Sequence, residues 1–500
     1  MSAKIEIGAR LLETLTSALY ADPLVVFREY VQNSVDAFRR LKKGGESTID
    51  SCRIAITVDS VKRTILIEDN CGGIPKEQFE ATMLGLSRSE KDGDQDSIGF
   101  RGIGRLAGLA FCKRLIFRNN TKGATQSFCL RGADYRKILQ QNSSKAMMLD
   151  EVIERISDRR VDETSATLQG GVSFQVELDD IEDELFDRIF QRKQATETLQ
   201  PAREFVNELA LMLPVGYERD FSHANDLRTA FKEATGLDLA DREYEIEFNG
   251  KLLCKPFLNE SDKSFSIQRV HLTTKEGERR CVGILWLRFN YVMKACGRNF
   301  GVFVRNKNML LRGGPVFAEE AAKSGLAVTT YGQYFAAIKG IQGELLLDTN
   351  LLSDNSRRDW FKTDNATLQL REYICNVMNR VHKYRYSISR YIHNNVKTEE
   401  EKNSVRLAYQ RLVSGDEDKS LTVMLGSALV GMGKDDGCRE VDERADITDL
   451  HGYTKAQREL YRYLMLAAYE YFMRQKDDGV TKYYAFKAHI VEQLNRQVEG

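Results

Sequence analysis

The chain has 500 residues, 42% hydrophobic and 29% charged, a globular balance whose length suits roughly three domains. Lys+Arg and Asp+Glu both number 73, so the formal net charge is zero; this argues against whole-chain attraction to nucleic acid or an anionic membrane and leaves room only for local patches. Nine cysteines with no CxxC pair, and six histidines without ligand spacing to them, fit reduced thiols in a cytoplasmic protein better than a disulfide framework or a zinc site.

The opening "MSAKIEIGARLLETLTSALY" has polar residues throughout and no signal-peptide core, and no later stretch is apolar for long enough to span a bilayer. Asp22 is placed as N-cap and Pro23 as first residue of a helix carrying "FREYVQNSVDAFRR", Phe27 to Arg40. Glu29, Asn33 and Asp36 within it are spaced i, i+4, i+7 and share one face. Taken alone, that face reads as the solvated side of an amphipathic helix.

"CRIAITVD" and "RTILIEDN" read as strands, the second ending at Asp69 before "CGGIP". A carboxylate at a strand end can accept a hydrogen bond from an exocyclic amino group, and adjacent glycines let backbone approach a ligand; a plain turn is the simpler reading of the stretch in isolation. The polar segment "GLSRSEKDGDQDS" then leads to "IGFRGIGRLAGLAFCKRL", a glycine-rich loop expected to enter a helix. Its "GFRGIGR", Gly99 to Arg105, is a GxxGxG arrangement that can present N–H groups to phosphate or form a close-packed turn. "GGVSFQVELDD" reads as another strand.

Further on, "AREFVNELALMLPVGY" is helical up to Pro214, and "EYEIEFNGK" alternates strictly into an Asn-Gly hairpin signal. "VGILWLRFN" and "FGVFVRNKNMLLRGG" add strands, and "YFAAIKGIQGELLLDTNLLSDNSRRDWF" passes from a strand to an arginine-bearing turn. Beyond about residue 365 the pattern is mainly helical, with "ATLQLREYICNVMNRVHKYRYSISRYIH" as one long candidate. A second, "TKAQRELYRYLMLAAYEYFMRQ", has Thr454 and Gln457 placed for a capping box, and "SGDEDKSLTVMLGSALVGMGKDDG" breaks the pattern before it.

Order and spacing change the weight of these signals. A helix with ExxxNxxDA, a strand ending in D-x-x-x-G, a polar lid and GxxGxG follow one another within about eighty residues, about half a typical domain. Together they resemble the GHKL ATPase superfamily: gyrase ATPase subunits, ninety-kilodalton heat-shock chaperones, MutL and MORC proteins and histidine kinases. The resemblance implies an α/β sandwich of the GHKL (Bergerat) type that uses ATP and Mg²⁺. It casts Glu29 as the general base, Asn33 as the Mg²⁺ ligand and Asp36 as part of the polar ring around the nucleotide. Asp69 becomes the adenine reader, with Gly73 and Ile74 lining the base pocket. Gly99, Gly102 and Gly104 become the lid hinge around the phosphates, with Arg101 facing phosphate or solvent. Glu29 argues against a histidine kinase, which passes phosphate to a protein histidine and not to water.

Two departures stand out: Cys71 replaces a customary glycine, and Val172 replaces a threonine in the later strand, which implies one polar adenine contact fewer. The stretches "ETLTSALYADPLVVFREYVQNSVDAFRR" and "YFAAIKGIQGELLLDTNLLSDNSRRDWF" are similar to the opening and middle domain of the ninety-kilodalton chaperones. That similarity implies that Arg357, or its neighbour Arg358, reaches the γ-phosphate.

The implied organisation is an ATP-binding domain over 1–185, a helical connector over 186–240, an α/β transducer over 241–365 and an α-helical domain over 366–500. The implied function is a slow, Mg²⁺-dependent ATPase clamp that closes as a homodimer on a protein client or partner, with no membrane involvement. Two alternatives stand beside it. One is a nucleic-acid clamp of the MORC or MutL sort, suggested by the cations and tyrosines of "RVHKYRYSISRYIHNNVK". The other is an ATP-regulated defence or regulatory module.

Overall fold

The computed structural model describes residues 22–44, 52–85, 104–121, 124–140, 149–158, 171–191, 198–257, 264–289, 300–355, 359–395 and 479–498, with single positions at 398, 465, 468, 471 and 472. They fall into two compact units. The first takes in Met1–Asn259, Arg305–Leu311 and Leu346–Lys362; the second takes in Glu260–Val304, Arg312–Leu345 and Thr363–Gly500.

The first unit opens on α1 (Val25–Gly44). Asp22 Oδ1 accepts the Leu24 N–H at 3.0 Å, so Asp22 caps the helix as expected. Val26, Phe27, Tyr30, Val31, Val35 and Phe38 form its apolar stripe. The polar face is not solvated: Glu29 is 6% and Asp36 1% exposed, which rules out the plain amphipathic reading.

Next come β1 (Cys52–Asp59) and β2 (Thr64–Asp69), paired antiparallel with Ile54 opposite Asp69. Strand alternation turns Ile65, Ile67 and Asp69 to the core, so the last inward residue of β2 is a carboxylate. α2 (Lys76–Leu84) follows, then a 3-10 turn at Gly104–Leu106. The helix expected after the glycine loop does not form. Turns run on through Ala110, with Ala107, Leu109 and Phe111 N–H groups bonded three residues back. The Gly108 N–H is taken by the Tyr30 hydroxyl, a tertiary partner that displaces the helical one.

β3 (Cys112–Thr121), β4 (Ala124–Arg131), α3 (Gly132–Gln140), α4 (Leu149–Ile156), β5 (Ser157–Asp158), β6 (Phe174–Ile181), α5 (Asp183–Phe190) and α6 (Arg203–Met212) continue the unit. β7 (Gly216–Tyr217), α7 (Ala224–Thr235), β8 (Tyr244–Phe248), β9 (Lys251–Leu252) and β10 (Cys254–Lys255) complete it. Eight strands form one sheet in the order β5-β4-β3-β6-β2-β1-β8-β9, and β7 pairs with β10 apart from it. Only the β1–β8 pairing in that sheet is parallel, so the sheet is mixed, as the expected α/β sandwich requires. The Asn-Gly hairpin forms, with Asn249 and Gly250 at φ 46° and 74°. Its first strand, β8, lies beside β1 in this first sheet.

A second sheet is built from β11 (Ser264–Thr273), β12 (Arg279–Phe289), β13 (Gly301–Asn306), β14 (Met309–Arg312) and β15 (Ile341–Leu347), in the order β11-β12-β15-β13-β14, with β11 and β12 wholly within the second unit. α8 (Val316–Ala322), α9 (Tyr331–Ile338) and α10 (Asn365–Asn395) accompany it, and α11 (Gly479–Val498) is the last described helix. Glu320 on α8 is 1% exposed and is held by Lys323 at 2.5 Å and by Arg371 of α10 at 3.0 Å. The long helix expected after residue 365 is α10; its cation–tyrosine stretch is helical through Asn395, and the side chains from Lys383 on lie outside the described residues. Thr454, Gln457 and the segment before them also lie outside. Among the described residues no helix is long and apolar enough to cross a membrane.

Candidate functional site

α1 fixes the site from one side. Ser34, one residue after Asn33, donates its hydroxyl to Asp69 Oδ2 at 2.5 Å, tying the helix to the end of β2. The other carboxylate oxygen accepts the Cys71 N–H at 2.9 Å and lies 3.2 Å from the Ser173 hydroxyl. Asp69 is 6% exposed, and among the described residues its hydrogen-bond donors are all neutral. Burial pushes its carboxyl above the ordinary carboxylate range, against the opposing pull of those three donors.

Ser173 does more than touch Asp69. Its oxygen accepts the Gly72 N–H at 2.8 Å, and its backbone N–H donates to Asp69 O at 2.7 Å. Ser173, one residue after Val172, thus sets a hydroxyl against the Asp69 carboxylate. The hydroxyl in "GGVSF" was the available signal, one register place from where the motif led.

Beyond Asp69 the chain turns through Gly72 (φ 93°) and Gly73 (φ 66°). Both conformations favour glycine, and a Cβ on Gly73 would fall 2.7 Å from Asn119 Oδ1. Asn119, fully buried on β3, accepts the Ile74 N–H at 2.8 Å and donates to the Ile74 carbonyl at 2.7 Å. Cross-strand register explains the convergence: Asp69 pairs with Phe174 and Phe174 with Asn119, one row across β2, β6 and β3. Sequence reading missed Asn119, because an asparagine in an otherwise alternating strand shows its inward phase only once the register is known. Two residues on, the Thr121 hydroxyl is buried without a partner among the described residues, beside Gly73.

The second half of the site is where α1 meets the end of the glycine loop. A Cβ on Gly104 would lie 2.2 Å from Glu29 Oε2, so a larger residue there would push that carboxylate aside. Tyr30, next to Glu29, donates its hydroxyl to Arg105 O at 3.0 Å and accepts the Gly108 N–H at 2.9 Å. Arg105 in turn reaches the Gly85 carbonyl at the end of α2, at 2.5 Å, and burial lowers its guanidinium to about 10. α1 thus supplies Glu29 and Tyr30 to the glycine turn and Ser34 to Asp69, with half-buried Asn33 between them.

Asp36 lies a turn further on and is buried; its charge acts on Arg39, whose Nε donates to the Tyr244 hydroxyl at 2.9 Å. Gly99, Arg101, Gly102, Arg357 and Arg358 lie outside the described residues. The described residues flanking the two arginines, 346–355 and 359–362, belong to the first unit.

Residues 22–165 match the family model described as "Histidine kinase-, DNA gyrase B-, and HSP90-like ATPase". The chain is also 28% identical over 133 residues to "Chaperone protein HtpG" of Chlorobium phaeobacteroides, a match covering 23% of this chain and 21% of that protein. The matched part therefore spans about a fifth of the relative's length. By these matches the N-terminal part of the chain resembles GHKL-type ATPase domains, those of the ninety-kilodalton heat-shock chaperones among them.

Proposed function

We propose that the first unit binds ATP between α1 and the Asp69–Ile74 turn, hydrolyses it, and uses the cycle to open and close the chain as a homodimeric clamp on a protein client or partner. The observation that carries this reading is the Asp69 cradle. Among the described residues, a buried carboxylate with only neutral donors, next to two glycines at positive φ and a Thr121 hydroxyl without a partner, has the chemistry of a site for a planar base bearing an amino group. The adenine amino group donates to Asp69, with Gly73 and Ile74 against the ring.

Glu29 stands at the phosphate end, against Gly104. In this reading it accepts the proton of the water that attacks the γ-phosphoryl group. Asn33, on the same helix face, is the side chain that would hold Mg²⁺. Bound Mg²⁺ neutralises phosphate charge. By the resemblance, Gly99, Gly102 and Gly104 would serve the lid around the phosphates, with Arg101 facing phosphate or solvent, and Arg357 or its neighbour Arg358 would stabilise charge on the γ-phosphoryl group. Turnover is slow because lid and dimer closure gate the chemistry. The chaperone name of the relative supports a protein client.

The test is Mg²⁺-dependent ATP turnover by wild type, Glu29→Ala and Arg357→Ala, with nucleotide binding measured in parallel. The expected result is binding without hydrolysis for Glu29→Ala and slowed hydrolysis for Arg357→Ala. A wild-type chain that binds no ATP would falsify the reading.

A further inference from the structure

Cys52 opens β1, and Cys71 follows β2 by two residues. The β1–β2 register pairs Ile54 with Asp69, and two more residues along it set Cys52 opposite Cys71. The pairing persists past the strand end: Asn70 N–H donates to Arg53 O at 3.3 Å, and Arg53 N–H donates to Asn70 Oδ1 at 2.8 Å. Directly opposed residues of an antiparallel pair have Cα atoms about 4.5–5.5 Å apart, within the span of about 4.4–6.8 Å that a disulfide bridges. The two sulfurs lie 2.7 Å apart, and both side chains are buried.

We propose that Cys52 and Cys71 form a reversible cross-strand disulfide, and that closing it weakens nucleotide binding at Asp69. The second half of this inference rests on the nucleotide reading given above. The coupling is local. The Cys71 N–H is the backbone donor to Asp69 Oδ1. The turn beyond it is pinned: the Gly72 N–H by Ser173 and both Ile74 backbone groups by Asn119, while a Cβ on Gly72 would fall 2.6 Å from Leu41 Cδ1. Drawing the sulfurs in to a bond of about 2.05 Å pulls on the Cys71 backbone and so on the N–H that Asp69 accepts.

Hydrogen peroxide is a sufficient oxidant. One thiol sulfur attacks the O–O bond, giving a sulfenic acid and one water. The second thiol sulfur then attacks the sulfenic sulfur; the S–S bond forms and the second water leaves. The two thiols lose two electrons, peroxide gains them, and both thiol protons end in water. A small dithiol reverses the step by exchange. The hydrogen bond with Cys52, together with burial, pushes the Cys71 thiol up, so oxidation is slow at neutral pH and quickens as pH rises. Gly72, next to Cys71, is exposed and gives a small oxidant its approach.

The experiment uses the full chain, reduced, treated with hydrogen peroxide, then re-reduced with dithiothreitol. Peptide mapping without reductant reads the linkage, and calorimetry reads ADP affinity. The expected result is a linked Cys52–Cys71 peptide and roughly tenfold weaker ADP binding, the loss of one hydrogen bond to a charged group, restored by dithiothreitol. Cys52→Ala should bind ADP like reduced wild type and show no oxidant effect. Two thiols that stay free in wild type overturn the disulfide. A linked peptide with unchanged affinity overturns the coupling. If reduced wild type binds no ADP, the nucleotide reading and the coupling fall together, while the peptide map still decides the disulfide.

Discussion

Two buried carboxylates, one in each unit, are handled in opposite ways. Glu320 in the second unit sits between two cations, Arg371 and Lys323. Asp69 in the first unit is held by two hydroxyls and a backbone N–H. A buried acid matched to cations has its charge balanced within the fold and braces α8 against α10. A buried acid that has only neutral donors keeps unmet attraction for a further donor. On the proposed reading, that contrast separates a structural residue from one that meets a ligand.

The largest expected effect lies beside the Asp69 cradle. Glu29→Gln should lower ATP turnover by about 10²–10⁴, the usual worth of a general base, while ATP affinity stays within a few-fold. Parallel loss of affinity would mean that Glu29 binds and does not catalyse. In the second unit, Arg371→Ala should destabilise by about 3 kcal/mol in denaturant titration, because it strips a cation from a buried acid. ADP binding should be untouched; a change there would erase the contrast between the units.

Asp69→Asn should weaken ADP binding by roughly ten- to a hundredfold, the worth of a charge-assisted hydrogen bond. It should also raise thermal stability at neutral pH. Burial holds the Asp69 carboxyl above its unfolded value of about 3.9, so the folded state grips that proton more tightly. Stability from this group is then fully present below about pH 3.9 and is lost as pH rises through the folded value. Wild type and variant should converge in acid and diverge at neutral pH, with the variant more stable; Glu320→Gln should show no such gain. The smallest effect is expected for Tyr30→Phe. It leaves the Gly108 N–H and Arg105 carbonyl without their shared partner, which costs about 1–2 kcal/mol and loosens the turn that faces Glu29. Turnover should fall several-fold with ADP affinity preserved.

The helix start at Asp22, the two strands ending at Asp69, the Asn249–Gly250 hairpin and the mixed α/β class were all legible in the sequence. Each depends on local chemistry: a capping side chain, a two-residue alternation, a turn that needs positive φ. The grouping of Glu29, Asn33 and Asp69 was legible too, but only as an order of motifs. Tertiary structure decided the rest. It replaced the helix expected after Gly104 with turns, since the Tyr30 hydroxyl captures the Gly108 N–H. It set the Ser173 hydroxyl against Asp69 and brought in Asn119, because strand register sets which inward residues share a row. It set Cys52 against Cys71 by the same register. Local sequence fixes what each segment can be; which side chains meet across segments depends on pairings between residues far apart in the chain, and those exist only once the sheet has closed.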